Sequence, residues 1–332
     1  MKLRLTLLAV FAAALVVAGC GGSDDSSDGS GSDGGSGSTS LSLVAYSTPE
    51  VVYDEIIPGF QKTDAGKDTK FKTSFGASGD QSRAVEAGLK ADVVSFSIEP
   101  DVQRVVDAGI VSPDWNKAQY DGLVTTSVVS FIVRKGNPKG IKGWDDLIKP
   151  GVKVVTPNPF TSGAAKWNLL GGYAHGGLDY VDKLIGNTSV QPKSGREALQ
   201  TFTAGEGDVL ISYEYEYSTA VKKGEKNLEL VVPDDTLKID IDIAKTKTAP
   251  AAAQSFLDYV LGDEGQQYFA DWGYRPVNPA VLEKNKSKFA NPPELKTIQD
   301  IGGWTKLNKD LFDPENGSIA KIEEDAGVST AK

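Results

Sequence analysis

Three short stretches place small hydroxyl residues where an apolar run gives way to helical spacing. They are Ser47-Thr48-Pro49, Ala77-Ser78-Gly79 and Thr161-Ser162-Gly163, and Ser194-Gly195 is a fourth of similar kind. A helix start carries N–H groups without partners and the positive end of the helix dipole. Serine or threonine caps such a start, and glycine leaves its backbone uncovered. The third stretch shows the pattern most clearly. Val152 to Val155 precede it, and Ala164, Trp167, Leu170 and Ala174 follow at helical spacing, so it reads as strand, loop, helix. One such loop alone is an ordinary cap. Several aimed at one cleft form a cage of N–H and hydroxyl donors, whose chemistry is anion binding.

Other chemistries find less support. The chain has one His, one Cys and one Met, so a zinc or iron–sulfur centre built on Cys and His is not available. A Ser–His–Asp triad would need His175, in Gly-Tyr-Ala-His-Gly-Gly, and no nucleophile motif accompanies it. His175 reads instead as a surface residue beyond a helix end. Asp and Glu total 45, yet no pair is marked out as an acid and base. Tyr213, Tyr215 and Tyr217, with Glu214 and Glu216, are hard oxygen ligands suited to ferric iron, but their alternation gives a metal at most one face. No GxGxxG or GxxxxGK[ST] pattern occurs, so a nucleotide fold is unsupported. A net charge of −10 argues against nucleic acid, which needs a basic face. No catalytic residue, metal or cofactor is expected.

The elements that must position the donor loops follow from the rest of the chain. At 332 residues, with 39% hydrophobic and 24% charged, about two ordinary domains fit. Lys2 and Arg4 precede an apolar run, Leu5 to Ala18, with the length of an export signal. It ends in Val17-Ala18-Gly19-Cys20, which resembles the bacterial lipobox, where cleavage precedes a cysteine that takes a lipid. Residues 21–40 are Gly, Ser, Asp and Thr only and read as a flexible tether. From Leu41 on, strands and helices alternate. Strands are expected over Leu41–Tyr46, Phe71–Phe75, Ala91–Phe96, Ser127–Val133, Gly207–Glu216, Leu228–Val232 and Leu237–Ile243. Helices are expected after each donor loop, with Pro58-Gly59 interrupting the first, and beyond Ala249. This order predicts an α/β fold with mainly parallel sheets, whose ligands sit beyond the carboxyl ends of strands.

Several ordered motifs make the chain similar to the periplasmic sulfate-binding proteins of ABC-type uptake systems. The most specific are Phe131-Ile132-Val133-Arg134-Lys135-Gly136-Asn137-Pro138-Lys139, then Trp144 through Val152, then the stretch from Pro157 to Asn168. Gly207-Asp208-Val209-Leu210-Ile211, Glu264-Gly265-Gln266, Tyr274-Arg275-Pro276 and Gly302-Gly303-Trp304 extend the resemblance through most of residues 42–320.

The resemblance implies a type II periplasmic binding protein fold with two lobes that close on one anion. Residues 1–19 would be the signal peptide and 20–40 the lipidated cysteine and tether. Residues 41–128 with 243–332 would form lobe I, and 129–242 lobe II. It implies a monomer, lipid-anchored through Cys20 outside the cytoplasmic membrane, that delivers sulfate or a related oxyanion to a membrane permease. By position, Ser47 and Ser78 lie in the first-lobe loops. Ser162, Gly163 and Ala164 match a Ser-Gly-Gly that gives one hydroxyl and two N–H groups. Two departures stand out. Tyr213 occupies the place of a tryptophan whose indole N–H meets the anion, and Ser194-Gly195-Arg196 is one residue shorter than the family's Ser-Gly-Ala-Arg. The donor there is the N–H of Gly195 or Arg196, or the Arg196 charge.

Magnitudes favour such a site. An unpartnered buried dianion would cost many kcal/mol. Each hydrogen bond to a charge contributes about 1.5–3 kcal/mol, so about seven offset much of that cost. A cage of donors prefers sulfate, which has no proton at pH 7, over hydrogen phosphate, which needs an acceptor. Asp80, two residues past Ser78, would spoil this if it faced inward; in the first turn of a helix it is expected to face solvent.

Overall fold

β-Branched runs fold as strands and the amphipathic runs between them as helices. The computed structural model describes residues 38–331, and the signal, Cys20 and most of the tether lie outside them. In chain order the elements are β1 (Thr39–Tyr46), α1 (Glu50–Gln61), β2 (Thr69–Gly76), α2 (Ser78–Glu86), β3 (Val93–Phe96), α3 (Glu99–Asp107), β4 (Leu123–Arg134), α4 (Trp144–Leu147), β5 (Val154–Val155), α5 (Gly163–Gly186), β6 (Thr188–Val190) and α6 (Gly195–Thr203). There follow β7 (Val209–Tyr213), α7 (Glu214–Lys222), β8 (Leu228–Val231), β9 (Asp235–Lys245), α8 (Ala251–Leu261), α9 (Asp263–Asp271), β10 (Arg275–Pro276), α10 (Pro279–Asn285), β11 (Glu294–Lys296), α11 (Trp304–Phe312) and α12 (Ser318–Asp325).

The strands run in the order β2-β1-β3-β9-β4-β7-β5-β6. The α/β expectation holds, with parallel order at the flanks of the main path, where β1 is parallel to β2 and β3 and β5 to β6 and β7, and in the short β11, which lies parallel to β9. The centre is antiparallel. β9 pairs with β3 and β4, and β4 pairs with β7 and β8. β4 divides its length between the flanks. Through Val128 it pairs with β9, and from Val129 to Val133 with β7. Its residues Ser127 to Val133 are all buried, as a strand covered on both faces requires. The described residues make one compact unit, and its largest apolar cluster draws on both flanks, from Leu41 to Trp167 and Ile211.

Three local expectations change. The strand expected over Gly207–Glu216 stops at Tyr213, and α7 begins at once. Glu214 and Glu216 lie in its first turn, where the helix dipole favours acids, and this outweighs the β-propensity of the tyrosines. Pro58 does not interrupt α1. It is exposed, as is Asp54 one turn earlier, so water can take the carbonyl left without its usual donor. Helix α3 was not expected; Val102 and Val105 form its buried side. At the C-terminus, α12 packs on α5, and Gln191 Nε2 donates to Glu323 Oε2 at 2.7 Å.

Candidate anion-binding site

Close approaches between glycines and their neighbours show which loops meet. A Cβ on Gly195 would lie 3.2 Å from Thr48 Cγ2, 3.5 Å from Ala164 Cβ and 4.0 Å from Tyr213 Cε2. A Cβ on Gly163 would collide with Ser97 Oγ. The Gly79 N–H donates to the Thr161 carbonyl at 3.0 Å. The starts of α2, α5 and α6 therefore converge with the ends of β1, β3 and β7. All seven residues singled out from sequence, Ser47, Ser78, Ser162, Gly163, Ala164, Arg196 and Tyr213, lie in these segments.

Their side chains play unequal parts. Ser162 is the N-cap of α5 by position, yet its buried hydroxyl accepts nothing from its own helix. That hydroxyl remains available to a ligand, as do the first N–H groups of α5, which have no carbonyl one turn back. Ser78 is different. Its Oγ donates to Asp101 Oδ2 at 2.6 Å and accepts from the Ser97 N–H at 3.0 Å, so its main chain is what it can offer. The Arg196 guanidinium is engaged with the first loop. Nε and Nη2 donate to the Ser47 carbonyl at 2.9 and 2.7 Å, Nη2 donates to the Thr48 carbonyl at 3.0 Å, and Nη1 lies 3.5 Å from Glu50. Its charge fastens the Ser47-Thr48 loop to the tip of α6.

The aromatic wall is a stack. Tyr213 lies 4.8 Å from Tyr215, and Tyr215 lies 3.6 Å from Tyr274, with nearly parallel rings. The Tyr215 hydroxyl sits 3.1 Å from that of Tyr46 and 3.0 Å from Thr48 Oγ1. Burial pushes the phenols of Tyr46, Tyr213 and Tyr215 far up, so all three keep their protons at neutral pH. Protonated phenols are hydrogen-bond donors that an anion can use.

Two carboxylates define the charge balance. Asp80 is exposed and pairs with Arg83 at 2.5 Å, as expected of a first-turn acid facing solvent. Asp101 is buried beside Ser78. Burial raises its pKa, while the Ser78 hydroxyl and the charges of Lys166, Arg104 and Arg83 pull it back. A cavity of about 50 Å³ opens here, lined by Gly79, Arg83, Asp101, Ser162, Gly163 and Lys166 among others. Sequence reasoning missed Ser97 and Asp101. Ser97 could have been found, because it directly follows a buried strand, where α/β ligands collect. Asp101 could not, because it rides on the unread α3.

A family profile described as bacterial extracellular solute-binding protein matches residues 41–275. The sulfate-binding protein of Synechococcus elongatus is 35% identical, over 94% of this chain and 93% of its own length. The chain belongs to the bacterial extracellular solute-binding proteins. Its relatives include the thiosulfate-binding protein of Pseudomonas aeruginosa, 33% identical over 81% of this chain and 88% of that protein. The solved sulfate-binding protein SubI of Mycobacterium tuberculosis superposes with a TM-score of 0.80 at 43% identity, covering 83% of this chain and 100% of that one. In this solute-binding protein His175 stands away from the donor loops. It is half-buried just before a break in α5 at Gly176-Gly177, held between Asp235 and Asp145, and so is not the open surface residue expected.

Proposed function

We propose that this solute-binding protein captures sulfate, with thiosulfate as a second ligand, and hands it to the permease of an ABC importer. The observation that carries the reading is the convergence of three helix starts on one buried place walled by protonated hydroxyls. Such a place matches a small anion without a proton to give. The names of the relatives point the same way.

In this reading Ser162 gives its hydroxyl, and Ser47, Ser78, Gly163, Ala164 and the Gly195-Arg196 turn give N–H groups. Tyr213 gives its phenol in place of an indole. Residues 41–128 with 243–332 act as lobe I and 129–242 as lobe II, with β4 and β9 passing between them. Ligand favours the joined form because only that form supplies both sets of donors. The protein acts as a monomer without enzymatic activity, held through lipid on Cys20 outside the cytoplasmic membrane.

Competition calorimetry at pH 7 with sulfate, thiosulfate, phosphate and molybdate tests the assignment. Sulfate should bind more tightly than phosphate; the reverse order would reject it.

A further inference from the structure

Two buried hydroxyls in the site, Ser97 Oγ and Tyr213 OH, have no partner beyond a weak contact with each other. Two hydroxyls that have only each other leave lone pairs and a proton unmet, and buried polar groups left so call for a reason. They are neighbours. Burial and Tyr46 push the Tyr213 phenol up, and a weak hydrogen bond with the Ser97 hydroxyl pulls it partly back. Gly163 stands over the same spot, where any Cβ would strike Ser97 Oγ. Glycine there keeps backbone and serine hydroxyl in reach of one common guest.

Residue 97 does its structural work through its main chain. Its N–H donates to Ser78 Oγ at 3.0 Å, and its carbonyl accepts from Trp167 Nε1 at 2.6 Å. Neither bond needs a side chain, so the hydroxyl is surplus to the fold.

We infer that Ser97 is a ligand-contacting residue, whose hydroxyl and that of Tyr213 together hold one oxygen of the bound oxyanion. This rests on the proposed sulfate reading and deepens it. Tyrosine places its donor at a different distance from the backbone than an indole does, and Ser97 supplies a second donor to the same oxygen. Both hydroxyls can turn their protons toward a bare sulfate oxygen.

The test uses the soluble mature protein, dialysed free of sulfate, with the variants Ser97→Ala, Tyr213→Phe and the double. Sulfate calorimetry should show Ser97→Ala weaker by roughly ten- to a hundred-fold. Without sulfate its melting temperature should be unchanged or higher, since a poorly satisfied buried group is gone. The rise in melting temperature on adding sulfate should shrink. The double variant should lose less than the product of the two single losses, because both hydroxyls serve one oxygen. If the parent binds sulfate and Ser97→Ala binds it equally well, the inference is overturned and the sulfate reading stands. A Ser97→Ala protein that melts lower unliganded but binds normally also overturns it, by assigning the hydroxyl to the fold. A parent that binds no sulfate removes both.

Discussion

Helix α5 joins two polar clusters of opposite character. At its start, the Ser162 hydroxyl caps nothing, and the Ser97 and Tyr213 hydroxyls nearby have no partner beyond a weak contact with each other. At its middle, His175 is saturated. Nδ1 meets Asp235 at 2.5 Å and Nε2 meets Asp145 at 3.1 Å, while the ring stacks on Trp144 with 6.3 Å between centroids. The first cluster keeps hydrogen-bonding capacity that the fold does not use. The second is complete and ties α4, α5 and the start of β9 together. Titratable groups alone would have pointed to the histidine; the count of unmet hydrogen bonds points to the hydroxyls.

The contrast breaks most sharply at Gly163. Gly163→Ala should lose sulfate binding by roughly a hundred-fold or more, because the added methyl meets Ser97 Oγ and Ile98. Calorimetry reads this directly, and near-normal affinity would show that the α5 tip is not a contact surface. Next comes Ser162→Ala. It should weaken sulfate by roughly ten-fold or more while leaving the unliganded melting temperature nearly unchanged, since the hydroxyl caps no N–H.

The smallest effect on affinity belongs to the saturated cluster. His175→Ala should bind sulfate like the parent and be less stable by about 1–2 kcal/mol in urea. Burial alone would lower the His175 pKa, but hydrogen bonds to Asp235 and Asp145 raise it overall. Its contribution is therefore full below the ordinary value near 6.5 and fades as pH climbs through the raised one. Glu216 and Glu323 work in the same direction. Burial raises both from 4.5 to about 7, so the native state holds their protons longer than the unfolded chain. Stability should thus decline between pH 4.5 and about 7, and Glu323→Gln should flatten that decline in urea titrations at several pH values.

Much of this was legible in the sequence where a residue type answers to one local rule. The three hydroxyl loops and the apolar runs before them gave the strand–loop–helix units, because capping and burial act within a few residues. Asp80 was readable as a first-turn acid for the same reason. Glu214-Tyr215-Glu216 was misread as strand, because the helix dipole at that point depends on where β7 stops, which its neighbours β4 and β5 decide. Arg196 was readable as present but not as spent on the Ser47 and Thr48 carbonyls, which are some 150 positions away. Asp101 became visible only when α3 was set against α2, where it accepts from the Ser78 hydroxyl. Long-range partners of this kind leave no local pattern.

Trp167 lends the molecule an optical property. Its indole donates to the carbonyl of Ser97, and its ring meets Trp304 edge-on at 4.8 Å. Indole emission depends on its hydrogen-bond acceptor and on nearby charge. If a dianion settles beside Ser97, the emission of this chromophore should change, which would make it an intrinsic gauge of occupancy.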